Sequence, residues 1–249
     1  MKYRYERKYL VQNEDLDALR SRMAPFLVHD PFAPENERGL FQYTVRSVYY
    51  DTPEFNSLFE KWEGVEVRKK LRIRGYDTRD QDSMVFMEIK RKLGDRIWKN
   101  RAQVRFDDVH ELMERGFSNG AGENIKGRNE EDARKFLFNI YRYGYRPVNL
   151  ISYDREPFHG KFDHGVRITF DKNIRCKMWP SLKELFSDRG LRLVWKEFFI
   201  LEIKYFENKM PTWARSIVQE FGLRHEALSK FATPFERKDV SVYNLKIGG

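Results

Sequence analysis

The chain has 249 residues, of which 34% are charged with both signs present, 41% hydrophobic and 15% aromatic, a balance that builds a core and excludes a disordered chain. Lys and Arg (47) outnumber Asp and Glu (38) by nine, giving a pI near 9.4, which favours an anionic partner such as phosphate, nucleic acid or a membrane surface. Cys176 is the lone cysteine, which excludes an intramolecular disulfide and a cysteine-based metal site. No apolar run reaches membrane-spanning length and Met1 to Leu10 is too charged for a signal peptide, so a cytoplasmic protein is expected.

In chain order, the first strand places Glu6 and Lys8 on one face, opposite Tyr5, Tyr9 and Val11. Glu14 to Met23 carries Leu16, Leu19 and Met23 at helical spacing, with Asn13 as N-cap and Pro25 as terminator. After a loop over His29 to Arg38, Tyr43 to Tyr50 is rich in β-formers and closes on Asp51-Thr52-Pro53. Phe55 to Trp62 makes a short helix before Gly64. In Val65 to Tyr76, Glu66, Arg68, Lys70, Arg72 and Arg74 share one side. Val65, Val67, Leu71 and Ile73 take the other, with Lys69 as an intruder. Met84 to Lys92 aligns Glu88, Lys90 and Lys92 against Val85, Met87 and Ile89, and the short polar link between the two predicts an antiparallel pair.

Ile97 to Phe106 reads as a strand with Lys99 and Arg101 on one face, followed by a short helix over Asp108 to Arg115. Ser118 to Arg128, with Gly120, Gly122 and Gly127, reads as a mobile loop. Asn129 to Tyr143 is an amphipathic helix with Ala133, Phe136, Leu137, Ile140 and Tyr141 as its apolar stripe. Val148 to Phe158 and Val166 to Lys177 are strands around a turn at His159-Gly160. The second sets Arg167, Thr169 and Asp171 against Val166, Ile168 and Phe170. Leu191 to Phe206 reads as one long strand, in which Glu202 and Lys204 interrupt one face while Phe199, Leu201, Ile203 and Tyr205 fill the other. Pro211, at or near N1, opens a helix that runs to about Phe221. Without a linker or an internal repeat, one domain is expected.

A strand with one apolar and one cationic face is either half-solvated or lines a channel that holds a polyanion. For any single strand the solvated reading is the stronger, but five strands here repeat the pattern of Lys or Arg mixed with a single acid. Glu202, on residues alone, reads as a salt-bridge partner of Lys204 or a neighbouring Arg. The chain has no G-x-x-x-x-G-K-[ST] and no G-x-S-x-G, and His29, His110, His159, His164 and His225 show no zinc-ligand spacing. A nucleotide-using enzyme built from these residues must bind phosphate with side chains.

Six fragments then fall in one order: Glu6-Arg7-Lys8-Tyr9-Leu10-Val11, Val45-Arg46-Ser47-Val48-Tyr49-Tyr50-Asp51-Thr52-Pro53, Arg72-Ile73-Arg74, Glu88-Ile89-Lys90, Glu202-Ile203-Lys204 and Ser229-Lys230-Phe231. Together they resemble the catalytic domain of the vacuolar transporter chaperone (VTC) polyphosphate polymerases, a branch of the triphosphate tunnel metalloenzyme superfamily that also holds the CYTH proteins. The resemblance implies an α+β fold: an eight-stranded antiparallel β-barrel whose bore is a basic tunnel, with helices packed outside. It implies Lys8, Arg72, Arg74, Lys90, Lys99, Arg155, Arg167, Lys204, Ser229 and Lys230 as ligands of polyphosphate and nucleotide phosphate. Among these, Arg72, Arg74, Lys204 and Lys230 would be catalytic. Glu202 would be the main metal ligand, with Glu88 and Glu6 as helpers, and hard oxygen ligands suit Mg²⁺ or Mn²⁺. Arg46, Arg68 and Lys70 stay as surface or supporting positions.

One departure bears on the reaction. CYTH hydrolases resemble E-x-E-x-K at the first strand, whereas this chain reads Arg4-Tyr5-Glu6-Arg7-Lys8. Losing the first acid weakens metal-assisted water activation, which favours transfer from ATP to a polyphosphate chain over hydrolysis. The expected activity is therefore an ATP-dependent polyphosphate polymerase. A triphosphatase of the same superfamily is the rival reading. A non-enzymatic binder of polyanions, in which Tyr3, Tyr5, Tyr9, Tyr49 and Tyr50 stack on bases, is a more distant one, and no nucleic-acid partner is expected. Yeast-type members of the family carry an SPX domain and a membrane segment that this sequence lacks, so moving the product across a membrane would need a membrane partner.

Overall fold

A computed structural model of the chain describes residues 4–80, 82–94, 96–118, 122–206 and 209–236. Its elements are β1 (Arg4–Gln12), α1 (Leu16–Met23), β2 (Leu27–His29), β3 (Tyr43–Asp51), α2 (Asn56–Trp62), β4 (Val67–Tyr76), β5 (Met84–Leu93) and β6 (Arg96–Arg105). They continue with α3 (Phe106–Arg115), α4 (Arg128–Tyr143), β7 (Arg146–Gly160), β8 (Arg167–Met178), β9 (Arg192–Leu193), β10 (Phe198–Phe206) and α5 (Thr212–Glu220). The strands form an antiparallel sheet in the order β1-β10-β8-β7-β3-β4-β5-β6, with β2 paired to β7 and β9 to β8. The expected eight principal strands are therefore present, with two short ones beside them. The expected closure is not: among the described residues the path ends at β1 and β6, and the sheet is not a closed barrel. Strand count is legible in a sequence, but closure depends on tilt and stagger that alternation does not encode.

By its contacts the chain divides into two compact units. One comprises Met1–Thr44, Ser152–Arg175 and Leu193–Ser229; the other Val45–Ile151, Cys176–Arg192 and Lys230–Gly249. In the first, β1, β10 and β8 turn Tyr9, Val11, Ile168, Phe170, Phe199, Leu201 and Ile203 into one apolar cluster, which takes in Leu19 and Met23 of α1 and Ile217 of α5. Period-two alternation explains why these residues share a face. In the second, Leu71, Ile73, Val85, Met87, Ile89, Ala102 and Val104 from β4, β5 and β6 pack with Val109 and Leu112 of α3 and Ala133, Phe136 and Leu137 of α4. Truncating a leucine, isoleucine or methionine of this cluster to Ala, as in Leu71→Ala, should cost about 2–5 kcal/mol.

Local details follow from particular residues. Helix α4 ends on Gly144 at φ +63, a left-handed cap that a side chain would strain. Of its predicted stripe, Ala133, Phe136 and Leu137 are buried and Ile140 packs on the same cluster, while Tyr141 is exposed and donates to the Met113 carbonyl. Lys69 is accommodated on the apolar face by donating to Asn139 and lying over the Tyr143 ring.

Three local expectations are corrected. Asn13 does not cap α1; it lies in a 3-10 turn, and its amide donates to the Lys196 carbonyl instead. The strand expected over Leu191 to Phe206 breaks into β9 and β10, because the chain bends between them, where Glu197 accepts the Asn13 backbone N–H. Strand β7 runs through His159-Gly160, so the turn comes later, where Gly160 N–H bonds the Val166 carbonyl. Residues 119–121 of the expected mobile loop, and Tyr3, lie outside the described residues.

Candidate functional site

In the second unit, alternation puts most charged side chains of β4, β5 and β6 on one face, with Lys69 and Arg91 on the other, and register sets them in rows. One row is Tyr49–Arg72–Glu88–Arg101, the next Lys70–Lys90–Lys99, and the next begins with Arg68–Lys92. Like charges directly opposite one another are unfavourable in a sheet, so these rows are a face in want of anions. Glu88 is the carboxylate among them, only 1% exposed. Arg72 Nε and Nη2 both stand 2.7 Å from its Oε2, Arg101 Nε is 3.5 Å from its Oε1, Lys99 pairs with it, and Arg74 Nε lies 4.0 Å away. Burial alone would push the Glu88 carboxyl up, but Arg72, Arg74 and Lys99 outweigh it and hold it well below the usual carboxylate range. The Lys99 ammonium is pulled down by burial, with Glu88 partly opposing.

Tyr49 and Ser47 buttress this face. Arg72 Nη1 donates to the Tyr49 hydroxyl at 3.0 Å, and Arg74 Nε to Ser47 Oγ at 3.4 Å. Burial would raise the Tyr49 phenol, yet Arg72, Arg74 and Lys230 together lower it. The ring of Phe231, next to Lys230, lies 5.4 Å from the Tyr49 ring and carries the Lys70 ammonium at 5.2 Å. Arg46 takes no place in these rows; it bonds the Asp77 carbonyl at 2.9 Å and Asp188 at 2.8 Å, tying loops together.

The first unit holds a second cluster, in which charges alternate. Register opposes Glu6 to Lys204 and Lys204 to Arg167, and in the next row Lys8 to Glu202 and Glu202 to Thr169. Lys8 Nζ is 3.0 Å from Glu6 and 3.8 Å from Glu202, and Lys204 pairs with Glu202 while lying 3.8 Å from Glu6. The salt-bridge reading of Glu202 is therefore what the geometry shows. Burial lowers the Lys204 ammonium, against the pull of Glu202 and Glu6.

Two expected phosphate ligands of this unit have protein carboxylates. Arg155 is bidentate to Asp171 at 2.6 and 2.8 Å, and Arg167 Nη2 donates to Asp30 at 3.0 Å. Burial would lower the Arg155 guanidinium, but Asp171 raises it well above its ordinary value. Neither Asp171 nor Asp30 was expected at the site. Asp171 shares a strand face with Arg167 and was legible there; Asp30 lies just past β2 and carried no signal. Ser229 belongs to the first unit and Lys230 to the second.

Among the described residues no group of three or more His, Cys, Asp or Glu side chains is placed to hold a metal ion. Two carboxylates with phosphate oxygens filling the remaining positions are enough for Mg²⁺. Glu6 and Glu202 fit that pattern, joined through Lys8 and Lys204. Opposite Glu202, the Thr169 hydroxyl is buried without a hydrogen-bond partner. Glu88, engaged by the guanidinium groups of Arg72, Arg74 and Arg101 and by Lys99, does not fit.

The sheet is antiparallel and sets cations opposite one another in rows on one face. The VTC domain model matches residues 3–236, and the chain belongs to that family. It is 26% identical over 197 residues to vacuolar transporter chaperone complex subunit 4 of Trypanosoma brucei brucei and 27% identical over 199 residues to the protein of that name from Trypanosoma cruzi. Each alignment covers 68% of this chain and 25% of the relative, so the chain spans about a quarter of those proteins. Two solved structures also align with the chain. A Pyrococcus horikoshii OT3 protein aligns at 0.46 with 14% identity over 94% of this chain and 99% of that one. A putative adenylyl cyclase from Hippeastrum, described as having a dominant triphosphatase activity, aligns at 0.49 with 12% identity over 93% of this chain and 94% of that one.

Proposed function

We propose that the chain is a metal-dependent polyphosphate polymerase that transfers the γ-phosphoryl group of ATP to a growing polyphosphate chain. Membership of the VTC domain family and similarity to subunit 4 of vacuolar transporter chaperone complexes support this reading. The observation that carries it is the succession of rows Tyr49–Arg72–Glu88–Arg101 and Lys70–Lys90–Lys99 across adjacent strands. A linear anion that repeats charge and acceptor oxygens along its length matches a surface that repeats guanidinium and ammonium groups.

In the second unit Arg72, Arg74, Lys99 and Lys230 bind and orient phosphate oxygens, and in the first unit Lys204 does so beside Glu202. A terminal oxygen of the growing chain attacks the γ phosphorus in line. The bond from that phosphorus to the β–γ bridging oxygen breaks, and ADP leaves. An anionic phosphate nucleophile needs no proton removed, so the step requires no general base. A divalent cation held by Glu202 and Glu6 would supply Lewis-acid neutralisation of phosphate oxygens.

The test is purified protein with ATP and Mg²⁺ or Mn²⁺, with the product sized on a gel. Long chains are expected. Free phosphate alone would make the protein a triphosphatase, and salt-sensitive anion binding without ATP turnover would make it a binder; either result overturns the polymerase reading.

A further inference from the structure

We propose that the ends of β4, β5 and β6 around Val67, Leu93 and Trp98 dock on an anionic lipid surface. Farther along these strands the same face is covered: Leu71, Ile89 and Ala102 are fully buried in the cluster that includes α4. Toward the ends of the strands the same face is exposed. Val67 is 64% exposed, Leu93 43% and Trp98 46%. Register makes them one patch, since Val67 pairs with Leu93, and Lys69 with Arg91 and Arg91 with Trp98 in the adjoining row. The patch extends onto the helix, where the Lys69 ammonium lies 4.5 Å from the Tyr143 ring centroid and exposed Phe138 stands edge-on to Tyr143 at 6.4 Å.

Charge decides the occupant. Lys69 and Arg91 lie inside the patch, and Arg68 opposite Lys92 occupies the reverse face of the same strand ends. A second copy meeting this patch through a two-fold axis would bring Lys69 and Arg91 against like charges. Tryptophan, tyrosine and aliphatic side chains interleaved with cations are instead the composition that settles at a lipid headgroup boundary, with apolar groups in the acyl edge and cations on anionic headgroups. No helix among the described residues is long and apolar enough to cross a membrane, so the contact proposed is with the surface.

The experiment is co-sedimentation of the full chain with phosphatidylcholine vesicles, with and without phosphatidylglycerol. The comparison is with the triple variant Val67→Ser, Leu93→Ser, Trp98→Ser, which keeps the net charge of +9. Binding to the phosphatidylglycerol vesicles is expected, weakened about tenfold or more in the triple variant because binding scales with buried apolar area. Val67→Ser alone, at the most exposed of the three positions, covers a triple variant that fails to fold and should weaken binding in the same direction. A blue shift of tryptophan emission on vesicle addition, lost in Trp98→Phe, would place the indole at the interface. Unchanged binding by both serine variants would assign the effect to net charge alone and overturn the proposal. So would equal binding to vesicles of phosphatidylcholine only, or a wild-type dimer in light scattering that the variants dissociate.

Discussion

Arg72 and Glu88 face each other in register on β4 and β5, with two guanidinium nitrogens 2.7 Å from one buried carboxylate oxygen. The carboxylate is shared with Lys99 and Arg101, so a single acid holds together a face that would otherwise be cationic throughout.

Glu88→Gln should destabilise the fold by about 1–3 kcal/mol, because it leaves the part-buried Arg72 and the buried Arg74 without their counter-charge while Lys99 and Arg101 reach solvent. Urea unfolding measures the loss, and added tripolyphosphate should restore more stability to the variant than to the wild type. The pH dependence has a definite sign. Glu88 is depressed in the folded state, so its contribution is present above the ordinary carboxylate range and lost as pH falls toward its lowered value. The variant should show a weaker acid-side slope.

Asp51 runs the other way. It accepts backbone N–H bonds from Thr52 and Ser57 at 2.9 Å and from Leu58 at 3.1 Å, pinning the start of α2, yet burial pushes its carboxyl up to about 6. A raised carboxyl contributes stability fully below its unfolded value, and the contribution is lost as pH rises through about 6. Asp51→Asn should flatten the stability profile over that window and cost about 1–2 kcal/mol at neutral pH through the acceptor it loses.

Lys204→Ala and Glu202→Gln should each lower chain elongation by about a hundredfold or more while leaving circular dichroism unchanged. The two are paired in the first unit, so the double variant should be little worse than either single one. Additive losses in elongation assays would show that they act separately.

Tyr49→Phe removes the hydroxyl that accepts from Arg72 and keeps the ring against Phe231. Tripolyphosphate affinity, read by calorimetry, should fall about three- to tenfold at neutral pH. The wild type should also lose affinity toward alkaline pH, as the lowered Tyr49 phenol ionises beside Arg72 and competes with phosphate. Tyr49→Phe should lose less over that range, which separates this phenol from Lys99 and Lys204.

Much of this site was legible in the chain. The alternation of Arg68, Lys70, Arg72 and Arg74 against Val67, Leu71 and Ile73 placed both faces of β4, and Glu88, Lys90 and Lys92 did the same for β5. Ordered fragments around Lys8, Arg72, Glu88 and Glu202 led to the family. Less legible was what each cation meets. Arg155 and Arg167 were expected as phosphate ligands, and the carboxylates of Asp171 and Asp30 that each of them meets were not foreseen. The break between β9 and β10 was hidden because Leu191 to Phe206 holds β-formers on both sides of the bend.

What the chain determined by itself is which side chains share a face, because the two-residue repeat of an extended strand is a local property. Register belongs to the tertiary structure: Arg72 meets Glu88 across 16 residues of chain, and Arg155 meets Asp171 across another 16. Whether the sheet path closes is also decided there. Both depend on packing between segments distant in sequence, which no local pattern of charge or hydropathy records.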